Sequence, residues 1–390
     1  MDVVTLASDM VRIPSYSLLE NSESALAAYI HRLLQTEGIE TELTEAEPGR
    51  LNVTGVLKGS GRGKSLMLCG HLDTVPPYGM SDPFSGMVED GKLYGRGACD
   101  MKGPLAAMLA AFVGIKRSGT ALQGDLIFAG VIDEEQMGKG IEFLAKHGPF
   151  VDAAVIGEPT DMRLALGHKG LEWLKIAVIG KKVHGGSMDK GINAISMASR
   201  LIARIYGQYT PQLKQRQHPL LGNPTINVGK IEGGDQPSTV PGLCTLEIDR
   251  RWIPEESIEQ VYTELAAIIT ELHDQDPQFN AEIKGYFNSG DLLPHKPFCT
   301  DESDPLVQSA YRAMHHTGCR KIKPTVFPAW SDAGVLAAYT QAKCIIMGPG
   351  DLALAHTSEE CIETKDLQRA AQFYGKLALE YCGRRGSSDA

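Results

Sequence analysis

The cysteines of this chain lack CxxC pairs and disulfide-framework spacing. All eight (Cys69, Cys99, Cys244, Cys299, Cys319, Cys344, Cys361 and Cys382) stand apart with no CxxC spacing. That excludes a zinc ribbon and a disulfide framework, and makes a reducing cytoplasm the expected setting. Nor does any run approach the roughly 20 apolar residues that span a bilayer. Met1-Asp2-Val3-Val4 opens no basic stretch followed by an apolar one, so no secretory leader is expected. Basic charge is also short, with 38 Lys and Arg against 48 Asp and Glu, a formal charge of −10. Such a balance argues against nucleic acid or an anionic membrane as partner but tolerates acidic metal ligands. What is there suits a folded chain: 43% hydrophobic residues over 390 positions exceeds one core and predicts two domains.

The first periodic segment reads as a helix from Ser22 to Glu37, with Asn21 or Ser22 as N-cap and Gly38 closing it. Short apolar runs at Ser65–Cys69 and Asp125–Ile132 flank a helical stretch from Pro104 to Lys116. Continuous apolar strands alternating with helices predict an α/β domain with a mixed, mostly parallel sheet flanked by helices. From about Leu171 the pattern changes to β-α-β-β-α-β: a strand at 172–179, a helix at 192–206, strands at 224–231 and 240–252, a helix at 254–272 and a strand at 281–286. That order is the ferredoxin-like α+β unit. After Leu292 the first pattern resumes. The reading is a discontinuous domain, 1–169 and 290–390, carrying an insertion at 170–289 with linkers near Lys169 and Gly290.

Five short motifs carry the chemistry. In Cys69-Gly70-His71-Leu72-Asp73 the period of two sets an imidazole beside a carboxylate at a strand end, an arrangement that fixes the tautomer of a metal-binding histidine. Gly95-Arg96-Gly97-Ala98-Cys99-Asp100 precedes a helix, so Asp100 is either a helix N-cap or a ligand held by a tight glycine-rich path. Asp133-Glu134-Glu135 puts three acids at the mouth of a buried strand, costly without a cation nearby. Two adjacent glutamates on extended backbone diverge, so one can bind metal while its neighbour takes a proton from water. Glu158 also follows an apolar run, and Gly348-Pro349-Gly350 leads to His356 before the last helix. Four of the five motifs follow strands where an open α/β sheet places its ligands. Two histidines and three acids suit two divalent ions sharing one carboxylate. Gly59-Ser60-Gly61-Arg62-Gly63-Lys64-Ser65 looks like a phosphate loop, but Lys58 stands where the first glycine is required and the segment leads into a strand, so it reads as a connector. The other histidines read as surface or packing residues.

In order and spacing these motifs resemble the acetylornithine deacetylase, succinyl-diaminopimelate desuccinylase and glutamate carboxypeptidase family of dinuclear metallohydrolases, over nearly the whole chain. The resemblance implies two divalent metal ions, zinc with cobalt or manganese as alternatives. His71 and Glu158 would hold one, Glu135 and His356 the other, and Asp100 would bridge them. Asp73 would back His71, Glu134 would be the general base, and the peptide after Asp100 is often cis. In the insertion, Lys182-Val183-His184-Gly185-Gly186 resembles the segment whose histidine reaches the neighbouring subunit's active site and stabilises an oxyanion. A homodimer through the inserted domain follows from that likeness. Ile248-Asp249-Arg250-Arg251 resembles the strand whose arginine, here Arg251, binds a substrate carboxylate, with Arg250 pointing the other way. Asn193, Lys169 and Ser238 are further positions implied at the substrate; Ser238 stands where many relatives have asparagine. The expected activity is removal of an N-acyl group from an amino acid or related small carboxylate. The alternatives are a carboxypeptidase or dipeptidase with the same residues and, more remotely, a metal-binding protein without catalysis.

Overall fold

Three apolar runs form the centre of the first sheet. Leu66–His71, Leu126–Val131 and Ala153–Ile156 run parallel, with every residue buried. Strands of this kind have no polar face because both sides are covered. Lys343–Ile346 joins the far side in parallel, while Arg50–Leu57 and Glu40–Glu47 extend the near side antiparallel, giving six strands in all. The sheet is therefore mixed and mostly parallel, as its apolar runs predict. Helix Lys102–Ser118 is buried along most of its length, carries Pro104 in its first turn and ends at Gly119 in the left-handed region. The computed structural model describes residues 1–286, 293–318 and 323–383.

By its contacts the chain divides into two units, Met1–His168 with Cys299–Ala390, and Lys169–Phe298. The expected linker at Gly290 lies outside the described residues. The N-terminal helix boundary differs from the sequence reading. The helix runs Ser24–Thr36 and its cap position is Glu23, which makes no capping bond. Asn21 takes a positive φ of 53°, and the Ser22 hydroxyl donates to Glu23 at 2.6 Å. The carboxylate of Glu23 is committed to Arg50 instead.

The second unit is a four-stranded antiparallel sheet in the order Thr225–Gly233, Leu243–Trp252, Gly170–Ile179, Asn280–Gly285. With helices Ala194–Arg204 and Ile258–Gln275 between its strands, it has the expected ferredoxin-like connection. Strand Leu243–Trp252 alternates strictly, burying Cys244, Leu246, Ile248 and Trp252 in a core shared with Ala198, Leu201, Val261 and Leu265. Arg250 falls on that buried face and Arg251 on the open one. Among the described residues no helix is long and apolar enough to cross a membrane.

Candidate metal centre

Parallel strands open their carboxyl ends to one side of the sheet, and three acidic or imidazole motifs start there. His71 ends strand Leu66–His71, Asp133-Glu134-Glu135 follows Leu126–Val131, and Glu158 follows Ala153–Ile156. His71 is buried, with Nδ1 at 3.0 Å from the backbone oxygen of Asp73 and Nε2 at 3.0 Å from Asp100 Oδ1. The other oxygen of Asp100 lies 3.3 Å from Nε2 of His356, which also meets Glu135 Oε1 at 3.0 Å. One carboxylate thus faces two histidines, one oxygen to each. Glu134 Oε2 and Glu158 Oε1 both stand 4.0 Å from His71 Nε2. Asp100 is not a helix cap: that position belongs to Met101, and the peptide between them is cis.

The local backbone explains how these groups converge. Gly97 has a φ of 88°, and a Cβ there would come within 3.0 Å of the Thr74 side chain, so only glycine fits the path leading to Asp100. The Asp73 carboxylate accepts the backbone N–H of Glu134 at 3.2 Å and of Glu135 at 3.0 Å. It therefore holds the turn that splays the two glutamates, while its main-chain oxygen orients His71.

The donor set fits divalent cations. Among the described residues, His71, Asp100 and Glu135 offer one group of converging ligand atoms, and His71, Glu134 and Glu158 a second. Glu158 Oε1 is buried and has no hydrogen-bond partner. Burial and the neighbouring carboxylate of Glu158 push Glu134 well above the usual range, and burial with Asp100 does the same to Glu158. Glu135 is raised by burial and by Asp100. His356 is pushed up to about 10 by its hydrogen bonds to Asp100 and Glu135. Burial opposes protonation of His71, but Asp100 and Asp73 outweigh it and hold that histidine up as well. Burial thus disfavours the ionised form of several converging carboxyl groups, and a divalent cation is what would let them ionise together, so the donor set fits cations.

The remaining sequence-derived positions lie in the second unit. His184 is exposed, and its Nδ1 accepts the N–H of Gly186 at 3.1 Å. It pairs with Thr239 across a two-residue ladder, and Gly185 N–H donates to the Ser238 carbonyl at 2.7 Å, so His184 and Ser238 are neighbours. Asn193 serves as a helix N-cap, with Oδ1 accepting from Ser196 N–H at 3.0 Å. Lys169 is held below its ordinary value by burial and by Arg251 and Arg250. Arg251 is already forked: Nε and Nη2 reach the two oxygens of Asp249 at 2.9 and 3.0 Å. Arg250 points into the core, 2.6 Å from Glu256 Oε1 and 3.3 Å from the Tyr209 hydroxyl. Sequence reasoning assigned no role to Arg96, Glu360, Arg50 or Asn52, which brace the loops around the centre. The signal in the sequence is that Arg96 sits inside the glycine-rich motif before Asp100 and that Glu360 follows His356 closely.

The chain matches the profile described as Peptidase family M20/M25/M40 over residues 67–380. It is 29% identical over 369 residues to an acetylornithine deacetylase of Myxococcus xanthus, covering 92% of this chain and 93% of that protein. It is 26% identical over 410 residues to the N-formyl-4-amino-5-aminomethyl-2-methylpyrimidine deformylase of Halalkalibacterium halodurans, covering 98% and 95%. A tripeptidase from Staphylococcus aureus has the same fold, with a TM-score of 0.81 at 21% identity over 97% of this chain and 98% of the other. Solved structures of that fold include a dinuclear metal-binding member of the family. A profile match over most of the chain, full-length relatives and a cluster of ligand atoms at the strand ends agree: this chain is a metallohydrolase that belongs to peptidase family M20/M25/M40.

Proposed function

We propose that this chain hydrolyses the N-acyl bond of a small amino acid or related carboxylate, using two zinc ions or, in their place, cobalt or manganese. The observation that carries this reading is the division of Asp100 between His71 and His356, with Glu135 and Glu158 beside them and Glu134 adjacent. His71 and Glu158 would hold one cation, Glu135 and His356 the other, and Asp100 both. When bound, such ions polarise a carbonyl and lower the pKa of water.

The chain's own groups supply the rest. The main-chain oxygen of Asp73 accepts the hydrogen bond of His71 Nδ1–H, which would leave the Nε2 lone pair facing the centre. Glu134 accepts a proton from the attacking water and returns it to the departing amine. Burial and the carboxylate of Glu158 raise its basicity, and cations bound beside it would favour its ionised form. By the family resemblance, Arg251, with Lys169, Asn193 and Ser238, would bind the substrate carboxylate and its surroundings. His184 would stabilise the oxyanion in a partner subunit of a homodimer formed through the inserted unit. His184 is exposed there, and so are Met188, Ile195, Tyr206, Ile231 and Leu243. A cytoplasmic location is the setting that suits cysteines without disulfide-framework spacing.

The test is a matched panel on the zinc- or cobalt-reconstituted protein: acetyl-, succinyl- and formyl-amino acids beside dipeptides. Selective cleavage of the acyl compounds supports the deacylase reading. Preference for dipeptides makes the chain a peptidase, and a silent panel with metal bound sinks the reading. Light scattering on the same sample tests the dimer.

A further inference from the structure

Glu134 and Glu135 sit on a loop that the neighbouring strand grips at several points. Asn52 accepts the N–H of Ile132 at 3.0 Å and donates to the carbonyl of Gly140 at 2.9 Å, bracketing the loop at both ends. Two residues earlier, the guanidinium of Arg50 reaches three carboxylates. Nη1 lies 2.8 Å from Asp133 and 2.7 Å from Glu47, Nε lies 2.9 Å from Glu23, and Nη2 also pairs with Glu23. Lys139, from the far end of the loop, pairs with Glu47 and closes the circuit. Glu23 and Asp133 are buried, and Arg50 keeps only 19% of its side chain exposed, so these contacts are shielded from bulk water.

Asp133 has a φ of 71°, a left-handed conformation that a non-glycine residue holds only when its surroundings impose it. Its carbonyl accepts the N–H groups of Gln136, Met137 and Gly138, and Arg50 grips its carboxylate from the neighbouring strand. Asp133 precedes Glu134 directly, so the position of its carboxylate sets where the next two residues leave the strand.

We propose that Arg50 is a positioning residue which, through Asp133, fixes the stance of Glu134 and Glu135 and thereby the metal affinity and turnover of the centre. The roles of the two glutamates rest on the function proposed above; the grip on their loop does not.

The test compares Arg50→Met, Arg50→Lys and, as control, Arg117→Met, which removes an exposed arginine from its pair with Glu37. Cobalt titration followed by its visible spectrum reads metal affinity without any substrate. Turnover per cobalt-loaded site, KM and thermal midpoint are measured beside it. Arg50→Met is expected to weaken at least one cobalt equivalent about 10-fold or more and to lower kcat by a similar factor, with KM within about threefold. Arg50→Lys recovers part of both, and Arg117→Met changes neither. If Arg50→Met fails to fold, Arg50→Met combined with Asp133→Asn and Glu23→Gln removes the two buried charges it orphans and is expected to show the same losses. Parental cobalt affinity together with kcat within about twofold, in whichever variant folds, overturns the proposal. Should the parent cleave no acyl substrate, the function proposed above fails while the cobalt titration still decides the role of Arg50.

Discussion

The side chain of Glu360 accepts the backbone N–H of Asp100 at 3.1 Å. The same oxygen accepts from Gly97 at 3.0 Å and Cys99 at 2.9 Å, while the other is paired with Arg96, and both side chains are fully buried. Arg96 also donates to the carbonyls of Pro76, Pro77 and Thr357 at 3.2 to 3.3 Å. The segments that follow His71, precede Asp100 and follow His356 therefore meet at one ion pair. Three groups that must converge on the same few ångströms come from distant parts of the chain, and this pair is where their backbones are tied together.

Breaking that pair from one side leaves a buried guanidinium without its counter-charge. Glu360→Gln keeps the shape and an accepting oxygen, yet is expected to cost about 3–5 kcal/mol, read as a lowered urea midpoint at unchanged slope. Arg96→Met combined with Glu360→Met removes both charges and restores part of the loss, but leaves the N–H groups of Gly97, Cys99 and Asp100 unpaired, so it stays below the parent. A parental midpoint for Glu360→Gln would show that the pair does not hold the loop.

Glu134→Gln replaces the proposed base with an isostere that cannot take a proton. Turnover is expected to fall by about 100-fold or more, while two metal equivalents stay bound, because Glu134 is not among the proposed ligands. Metal analysis and steady-state kinetics on one preparation check both halves. Substantial residual activity would remove Glu134 from the base role, and lost metal would make it a ligand.

Without cations the site should make stability depend on pH in a definite direction. Glu134, Glu135 and Glu158 are held above the ordinary 4.5 by burial and by one another's charge, so the folded chain keeps protons that the unfolded chain has released. Stability then falls as pH rises above that value. His71 and His356 are held above 6.5, His356 to about 10, so the stability they contribute is complete below 6.5 and is lost as pH climbs towards 10. Both effects have the same sign. Asp100, held low by its histidine contacts against the pull of burial, acts only below its ordinary 3.8. The chelated protein should therefore lose thermal stability from pH 6 to pH 9, and the rise in midpoint on adding zinc should be larger at pH 9. An equal rise at both pH values would contradict the charge pattern described for the centre.

The strand ends were legible because His71, Glu134, Glu135 and Glu158 stand where apolar runs end, and a buried strand leaves few places for such a residue to go. The braces behind them were not. Arg50 is separated from Glu23 by 27 positions and from Asp133 by 83, and it lies in none of the five motifs. Glu360 stands 260 positions from Asp100, so no local period connects them. Asn193 shows the opposite difficulty. A residue read from its motif as a substrate contact has its side-chain oxygen engaged as a helix cap, a use that any asparagine before a helix is suited to. Period two did separate Arg250 from Arg251, but it could not show that Asp249, on the same face, already occupies the fork of Arg251.

Those adjacent arginines should fail in different ways. Arg250 is fully buried against Glu256, whose carboxylate also receives Arg216 at 2.6 Å and the N–H of Ile253 at 3.1 Å. Arg250→Met leaves a buried network short of one cation, and about 3–5 kcal/mol of stability should go with it. Arg251 lies on the open face, and among the described residues its ionic partner is Asp249, so Arg251→Ala should leave the unfolding midpoint near the parent's. Its effect belongs in KM. For an N-acyl amino acid, KM should rise about 10-fold or more with little change in kcat, the pattern of a contact made equally in ground and transition states. An N-formyl amine without a carboxylate should be indifferent to the change. Equal losses on both substrates would show that Arg251 shapes the second unit and does not read the carboxylate; the free edge of its guanidinium, beyond the fork held by Asp249, would then have no substrate to meet.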